Sequence, residues 1–294
     1  MQINTVKTPD SVLKKKKDSS GVWQHFVRNK GAVIGMVILA VIVFSAVFAD
    51  MISPYHPYKQ NLSEALQYPS AQHWFGTDEF GRDIFSRILH GGRISLMVGF
   101  VSVAMACVGG SLFGAFSGYV GGWLDTLIMR MMDVLLAIPS ILLNLSIIVA
   151  LGSSVFNMML AVAISNLPRY CRIMRASVLQ LKTLEYVEAA RLAGGNSIYI
   201  VSRHIILNSL APIIVQASLN VGSAIIACAG LSFIGVGIKA PAPEWGAMLA
   251  NGRDLLRRYS YTTVFPGLAI ILTVLSLNMM GDGLRDAFDP KLRR

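Results

Sequence analysis

The chain has 294 residues, of which 54% are hydrophobic and 14% charged, with a formal net charge of +10. That composition is too apolar for an ordinary soluble globular domain, so a membrane protein is the first expectation. The basic excess lies in loops flanking apolar stretches and not along one soluble face, which sets aside nucleic-acid binding. Cys107, Cys171 and Cys228 have no metal-ligand or oxidoreductase spacing, which sets aside zinc and disulfides.

Residues 1–30 form a polar arm carrying the run Lys14 to Lys17, expected to be disordered and to anchor the topology or attract anionic headgroups. A first apolar segment follows, residues 31–49. Its core is too long for a signal peptide and polar residues precede it, so it predicts an uncleaved membrane helix. Five further segments suggest crossings: Ser95 to Phe116, Val134 to Leu151, Val155 to Ile173, Pro212 to Ile238 and Thr262 to Gly281. The fold expected is an all-α membrane protein with six transmembrane helices.

With six crossings both termini share one side, and that side holds 18 of the 26 Lys and Arg residues. The bias predicts cytoplasmic termini. Residues 50–94 then make an extracytoplasmic loop. Its first part is rich in turn formers (Ser53, Pro54, Pro57, Pro69). Helical spacing appears near its end, with Phe80, Ile84, Phe85, Ile88 and Leu89 on one face and Arg82, Asp83, Ser86 and Arg87 on the other. This pattern predicts a short amphipathic helix, lying on the membrane surface or packed against the bundle.

The core membrane domain is expected over 95–281, followed by a cytoplasmic tail, 282–294. Gly110, Gly114, Gly118 and Gly122 recur every fourth residue and predict a smooth ridge for close helix approach. Pro139 predicts a kink in the third segment. Ionisable groups at mid-membrane, expected of an ion-coupled carrier, are nearly absent. Asp133 lies one turn after Arg130 and pairs with it on this reading, and Asp282 ends the sixth segment. In the fifth segment Gln216, Asn220 and Ser223 share a helical face that either lines an aqueous path or makes interhelical hydrogen bonds.

Catalytic chemistry finds no support in the motifs. The chain has no Gly-Lys dipeptide, no His-Glu-x-x-His and no Cys-x-x-Cys, and its five histidines are scattered. The loop from 174 to 210, by contrast, is too long and too patterned for a simple connector. Leu179, Tyr186, Ala190 and Ala193 form an apolar stripe, Gly194-Gly195 breaks it, and helical spacing resumes from Ile198 to Leu210. Two short helices in a cytoplasmic hairpin are expected.

Within that hairpin, Glu188-Ala189-Ala190, three residues and then Gly194 resemble the EAA loop of binding-protein-dependent ABC importer permeases. The flanks Glu185-Tyr186-Val187 and Arg203-His204-Ile205 agree. The run Gly76-Thr77-Asp78-Glu79-Phe80-Gly81-Arg82-Asp83 is similar to the dipeptide and oligopeptide branch, as are Leu231-Ser232-Phe233-Ile234-Gly235-Val236-Gly237 and Trp245-Gly246-Ala247-Met248-Leu249. The likeness covers almost the whole chain and is greatest to the second, C-type permease subunit. Leu207 departs from it, standing where the family usually has a proline.

The resemblance implies a type I importer permease of the bacterial inner membrane that carries no catalytic residue. Glu188, Ala189, Ala190 and Gly194 would couple it to two ATP-binding subunits, which hold the ATP and Mg. The other partners implied are a homologous second permease, an extracytoplasmic solute-binding protein facing Lys239 to Tyr261 and the 50–94 loop, and membrane lipids. The cargo implied is a dipeptide or short oligopeptide, with nickel, glutathione or antimicrobial peptides as alternatives. A stand-alone carrier or channel remains the alternative from another class.

Overall fold

A computed structural model describes residues 19–288 of the chain. The Lys14 to Lys17 run and the last six residues lie outside the described part. Every regular element within it is helical; the one β contact is an isolated antiparallel bridge between Thr77 and Asp83.

The helices in order are α1 (Ser19–Arg28), α2 (Lys30–Val47), α3 (Ala49–Ile52), α4 (Ile84–Val120), α5 (Gly122–Ala137) and α6 (Ser140–Leu151). They continue with α7 (Val155–Leu181), α8 (Glu185–Leu192), α9 (Ser197–Tyr199), α10 (Leu210–Phe233), α11 (Trp245–Gly252) and α12 (Tyr261–Phe288). Four are long and apolar enough to cross a membrane: α2, α4, the continuous run Ser197–Phe233 and α12. The pair α5 and α6 meets the same standard together but turns through 97° at its break.

Two expectations change here. The third segment, Val134 to Leu151, is not one straight helix: its first turn closes α5 and the rest is α6, whose 12 residues reach only about 18 Å. The residue before Pro139 is driven out of the helical region, and Ile138 is extended (ψ 128°), so the expected kink becomes a change of direction. The fourth segment is the beginning of α7, a 27-residue helix with Pro168 inside it. Asn157, Asn166 and three arginines keep α7 below the apolar standard that the other four meet.

α4 is the spine. Its 37 residues extend about 55 Å, well beyond a hydrocarbon layer of about 30 Å. α7 lies along it at the glycine ridge: a methyl group on Gly110 would come within 2.5 Å of the Leu167 carbonyl oxygen and 2.7 Å of Tyr170 Cβ. Gly114 meets the Cys171 carbonyl in the same way, and Gly118 meets Val178. Gly122 does not belong to the ridge; with Gly121 it adopts positive φ (+63° and +70°), breaking α4 from α5. On the other side of α4, Gly99 receives Ile225 of α10.

α2 packs on α12, where Gly35 lies against the Ser276 carbonyl. Asn29 caps α2, accepting from Ala32 N at 3.2 Å, and donates to Asp286 of α12 at 3.1 Å. α1 joins this end through Phe26, buried with Ala32 and Ala287. α12 therefore runs past Gly281, the expected end of its segment, to Phe288.

The amphipathic helix expected near Phe80 does not form separately. Helix starts at Ile84, capped by Asp83, whose Oδ2 accepts from Ser86 N at 2.8 Å, and it continues without interruption as α4. Its polar side is also reversed from a surface helix, because Arg82, Asp83, Ser86 and Arg87 are all buried.

Candidate functional site

Three regions hold the residues singled out by sequence: the hairpin after α7, the polar face of α10, and the knot at the opposite end of α4.

The hairpin is built on one turn. α8 ends at Leu192, and Gly194 takes φ +86°. Gly195 N donates to Ala190 O at 3.0 Å and Gly194 N to Arg191 O at 3.1 Å, the paired bonds that close a helix through a left-handed residue. Asn196 restarts the chain, its side chain accepting from Tyr199 N at 2.7 Å. Nothing lies within 4 Å of a methyl group placed on Gly194, so its glycine is a matter of backbone conformation and not of space.

Glu188 and Ala189 are exposed, Ala190 is half-buried and Gly194 is exposed. Val187, Ile200 and Ile205 are completely buried and hold the hairpin to the bundle. Asn208 adds a bond to the Tyr186 hydroxyl at 3.4 Å. Sequence reasoning missed the most exposed apolar groups of the hairpin: Leu192 is 90% and Ile198 79% exposed, on either side of the turn. Their signal is legible in retrospect as large apolar residues flanking Gly194-Gly195 in a polar stretch.

The second limb is not a separate short helix, which corrects the two-helix expectation. Residues 200–206 are wound more widely than an α-helix, 207–209 more tightly, and the chain passes directly into α10. Leu207 at this joint keeps the helix continuous where a proline would have withdrawn an N–H.

On α10 the three polar residues separate. Asn220 is buried, Gln216 half-buried and Ser223 exposed. Asn220 ties α10 to α7: its Nδ2 donates to the Tyr170 hydroxyl at 3.1 Å, and its Oδ1 accepts from Gln216 Nε2 at 3.0 Å and from Arg169 Nη1 at 3.5 Å. Beside them Arg172 Nη2 reaches Asp133 Oδ1 at 2.7 Å, while Arg130 stands off at 3.9 Å. Asp133 therefore pairs chiefly across helices with α7, and less with its own neighbour one turn away.

At the far end of α4, residues 76–83 wind around Asp78. Its Oδ1 accepts from Phe80 N at 2.9 Å and Arg82 N at 3.0 Å, and its Oδ2 accepts from Arg82 Nε at 2.7 Å. Gly81, at φ +69°, packs directly on the Asn61 carbonyl. Buried Arg87 donates to the carbonyls of Pro57 (3.1 Å) and Pro241 (3.3 Å), binding this knot to the segment before α11.

Glu244 caps α11, its two carboxylate oxygens accepting from Gly246 N (2.9 Å) and Ala247 N (2.8 Å). Burial pushes its carboxyl above the ordinary glutamate value despite those bonds. Trp245 is buried beside it and donates from Nε1 to Ile88 O at 3.0 Å. Among the described residues no group of three His, Cys, Asp or Glu side chains is arranged to hold a metal ion.

An all-helical membrane body with an exposed helical hairpin fits a membrane permease. The chain belongs to the family described as binding-protein-dependent transport system inner membrane component, which matches residues 110–294, and it has the type I permease fold of that family. Residues 20–69 match the N-terminal TM domain of oligopeptide transport permease C.

Among its relatives, the dipeptide transport system permease protein DppC of Alkalihalophilus pseudofirmus is 47% identical over 92% of this chain and 89% of its own length. The di/tripeptide transport system permease protein DppC of Pseudomonas aeruginosa is 44% identical, covering 92% and 91%. The glutathione transport system permease protein GsiD of Pectobacterium atrosepticum is 43% identical, covering 92% and 90%.

Proposed function

We propose that this chain forms half of the solute pathway of an ATP-driven importer that carries dipeptides or short oligopeptides into the bacterial cytoplasm. The observation that carries the coupling part is the hairpin: a hydrogen-bonded turn presenting Glu188, Ala189, Leu192 and Ile198, with a second limb continuous with α10. A displacement at its tip is therefore passed directly to a helix of the bundle. Ala189 and half-buried Ala190 leave room for a groove on a partner, and Glu188 supplies a charge for a basic group there. Gly194 sets the turn.

On this reading two partner ATPases bind and hydrolyse ATP with Mg, and this chain hydrolyses nothing. A homologous second permease completes the pathway, and Gln216, Asn220 and Ser223 face or support its wall. α7 crosses the membrane as well as α5 with α6, which gives six crossings and places both termini and the hairpin on the cytoplasmic side of the inner membrane. The knot around Asp78 and the segment 239–261 then face outward, toward a solute-binding protein.

Peptide cargo is supported by the names of the two relatives with the greater identity reported above. Glutathione is the second reading, supported by the third. Purifying the tagged chain from its native membrane in mild detergent tests the assembly: ATPase subunits and a second permease are expected with it, and ATP hydrolysis by the complex. Recovery of a folded chain alone, without ATPase activity, would refute the reading. Competition of labelled dialanine uptake by glutathione separates the two cargoes.

A further inference from the structure

α7 carries three arginines at successive turns, and the structure treats one of them differently. Arg172 pairs with Asp133 at 2.7 Å, and Arg175 grips Asp125 with two bonds of 2.6 Å, so α5 neutralises both. Arg169 has no such partner. Its contact is the Asn220 amide oxygen at 3.5 Å, an acceptor already shared with Gln216, and among the described residues no carboxylate lies within 4 Å of it. Asn220 is held in that orientation by its bond to Tyr170. Arg169 is exposed on the chain, next to exposed Arg172 and half-buried Gln216.

The missing partner makes this informative. Arg169 follows Pro168 and stands roughly 21 Å from the Val155 end of α7 and roughly 18 Å from the Leu181 end. A cation on a helix of a membrane bundle is disfavoured against hydrocarbon, so an exposed one without a carboxylate partner faces protein or a water-filled cavity. The guanidinium is a planar fork of donors that matches a carboxylate, and most of its donors here are free of protein acceptors.

We infer that Arg169 is the pathway-wall contact for the carboxylate of the passing solute. This rests on the proposal that the α7–α10 face lines the pathway, and it adds the chemical group recognised there. A peptide crossing as a zwitterion must bring its carboxylate through a region of low dielectric. An unpaired guanidinium offers a counter-charge, and the neutral amides beside it do not compete for the anion. Arg172 and Arg175 do not serve, because Asp133 and Asp125 already hold them.

The test uses the assembled importer in vesicles, with labelled dialanine presented by its binding protein and uptake normalised to the amount of assembled complex. Arg169→Gln should lower the maximal rate by about tenfold or more, the loss of one charge-assisted bond, with the half-saturating concentration unchanged because the binding protein sets it. Arg169→Lys should keep an intermediate rate, since the charge remains and the fork is lost. In a background lacking the three native cysteines, Arg169→Cys and Ser223→Cys should both react with a membrane-impermeant thiol reagent.

If the Arg169→Cys variant reacts but Arg169→Gln transports within about twofold of the unaltered complex, the carboxylate contact is wrong and the pathway reading stands. If neither engineered cysteine reacts, the pathway reading fails and this inference with it. If the Gln defect appears only in vesicles containing anionic lipid, the guanidinium serves a lipid phosphate, and the inference is overturned.

Discussion

Arg175 on α7 and Asp125 on α5 meet through two parallel hydrogen bonds, Nε to Oδ1 and Nη2 to Oδ2, both 2.6 Å. Ser117 of α4 also donates to the same carboxylate, so three helices are joined at one acid. The bidentate geometry and partial burial place this pair above ordinary surface ion pairs. Asp125→Ala should cost about 1.5–3 kcal/mol in the purified protein. A double-mutant cycle with Arg175→Ala on thermal unfolding measures it, and additive single effects would show that the pair contributes no coupling.

Gly194 is the second test. Its φ of +86° is unfavourable for any side chain, although space is open around it. Alanine should therefore introduce about 1 kcal/mol of backbone strain without a clash, asparagine less and valine more. The same order is expected in uptake rate, with protein level in the membrane unchanged. Equal transport by the valine variant would mean that the turn is not needed for coupling.

The ridge of α4 provides a contrast within one residue type. Gly114→Ala forces a methyl group onto the Cys171 backbone and Met174, and should destabilise by about 1–3 kcal/mol through overpacking. Gly230 in α10 has open space around it, and alanine there should be neutral or stabilising by up to about 1 kcal/mol. Thermal unfolding in detergent compares the two, and the reverse order would contradict the packing described.

Glu244 predicts a pH dependence. Its folded-state pKa is raised, chiefly by burial, so between the unfolded and folded values the folded protein binds the proton more tightly than the unfolded chain does. Stability from this group is fully present below the unfolded value of about 4.3 and declines as pH rises through the folded value. Glu244→Gln should remove that decline while keeping an acceptor for the start of α11. Superimposable profiles of melting temperature against pH for the two proteins would refute this.

Much of the architecture was legible in the chain itself. Apolar runs long enough for a bilayer located α2, the body of α4, α10 and α12, because in hydrocarbon the backbone must satisfy its own hydrogen bonds and only length and composition then matter. The Gly194-Gly195 break and the spacing of Gly110, Gly114 and Gly118 are equally local, since a left-handed turn and a close helix contact both require the absence of a side chain.

What the sequence could not decide is which partner each polar group meets. Arg82, Asp83, Ser86 and Arg87 read as the polar face of a helix and are instead buried: Asp78, four residues away, receives Arg82, while the carbonyls of Pro57 and Pro241 come from other segments to receive Arg87. Pro139 marked the bend in 134–151, but how far the chain turns there depended on how α5 and α6 each pack on α7. So did the difference among Arg169, Arg172 and Arg175, identical in sequence chemistry: Asp133 and Asp125 approach two of them and not the third. Helix length and turn chemistry are properties of neighbouring residues, whereas the neutralisation of a buried charge depends on residues distant in the chain, and only the folded bundle brings those together.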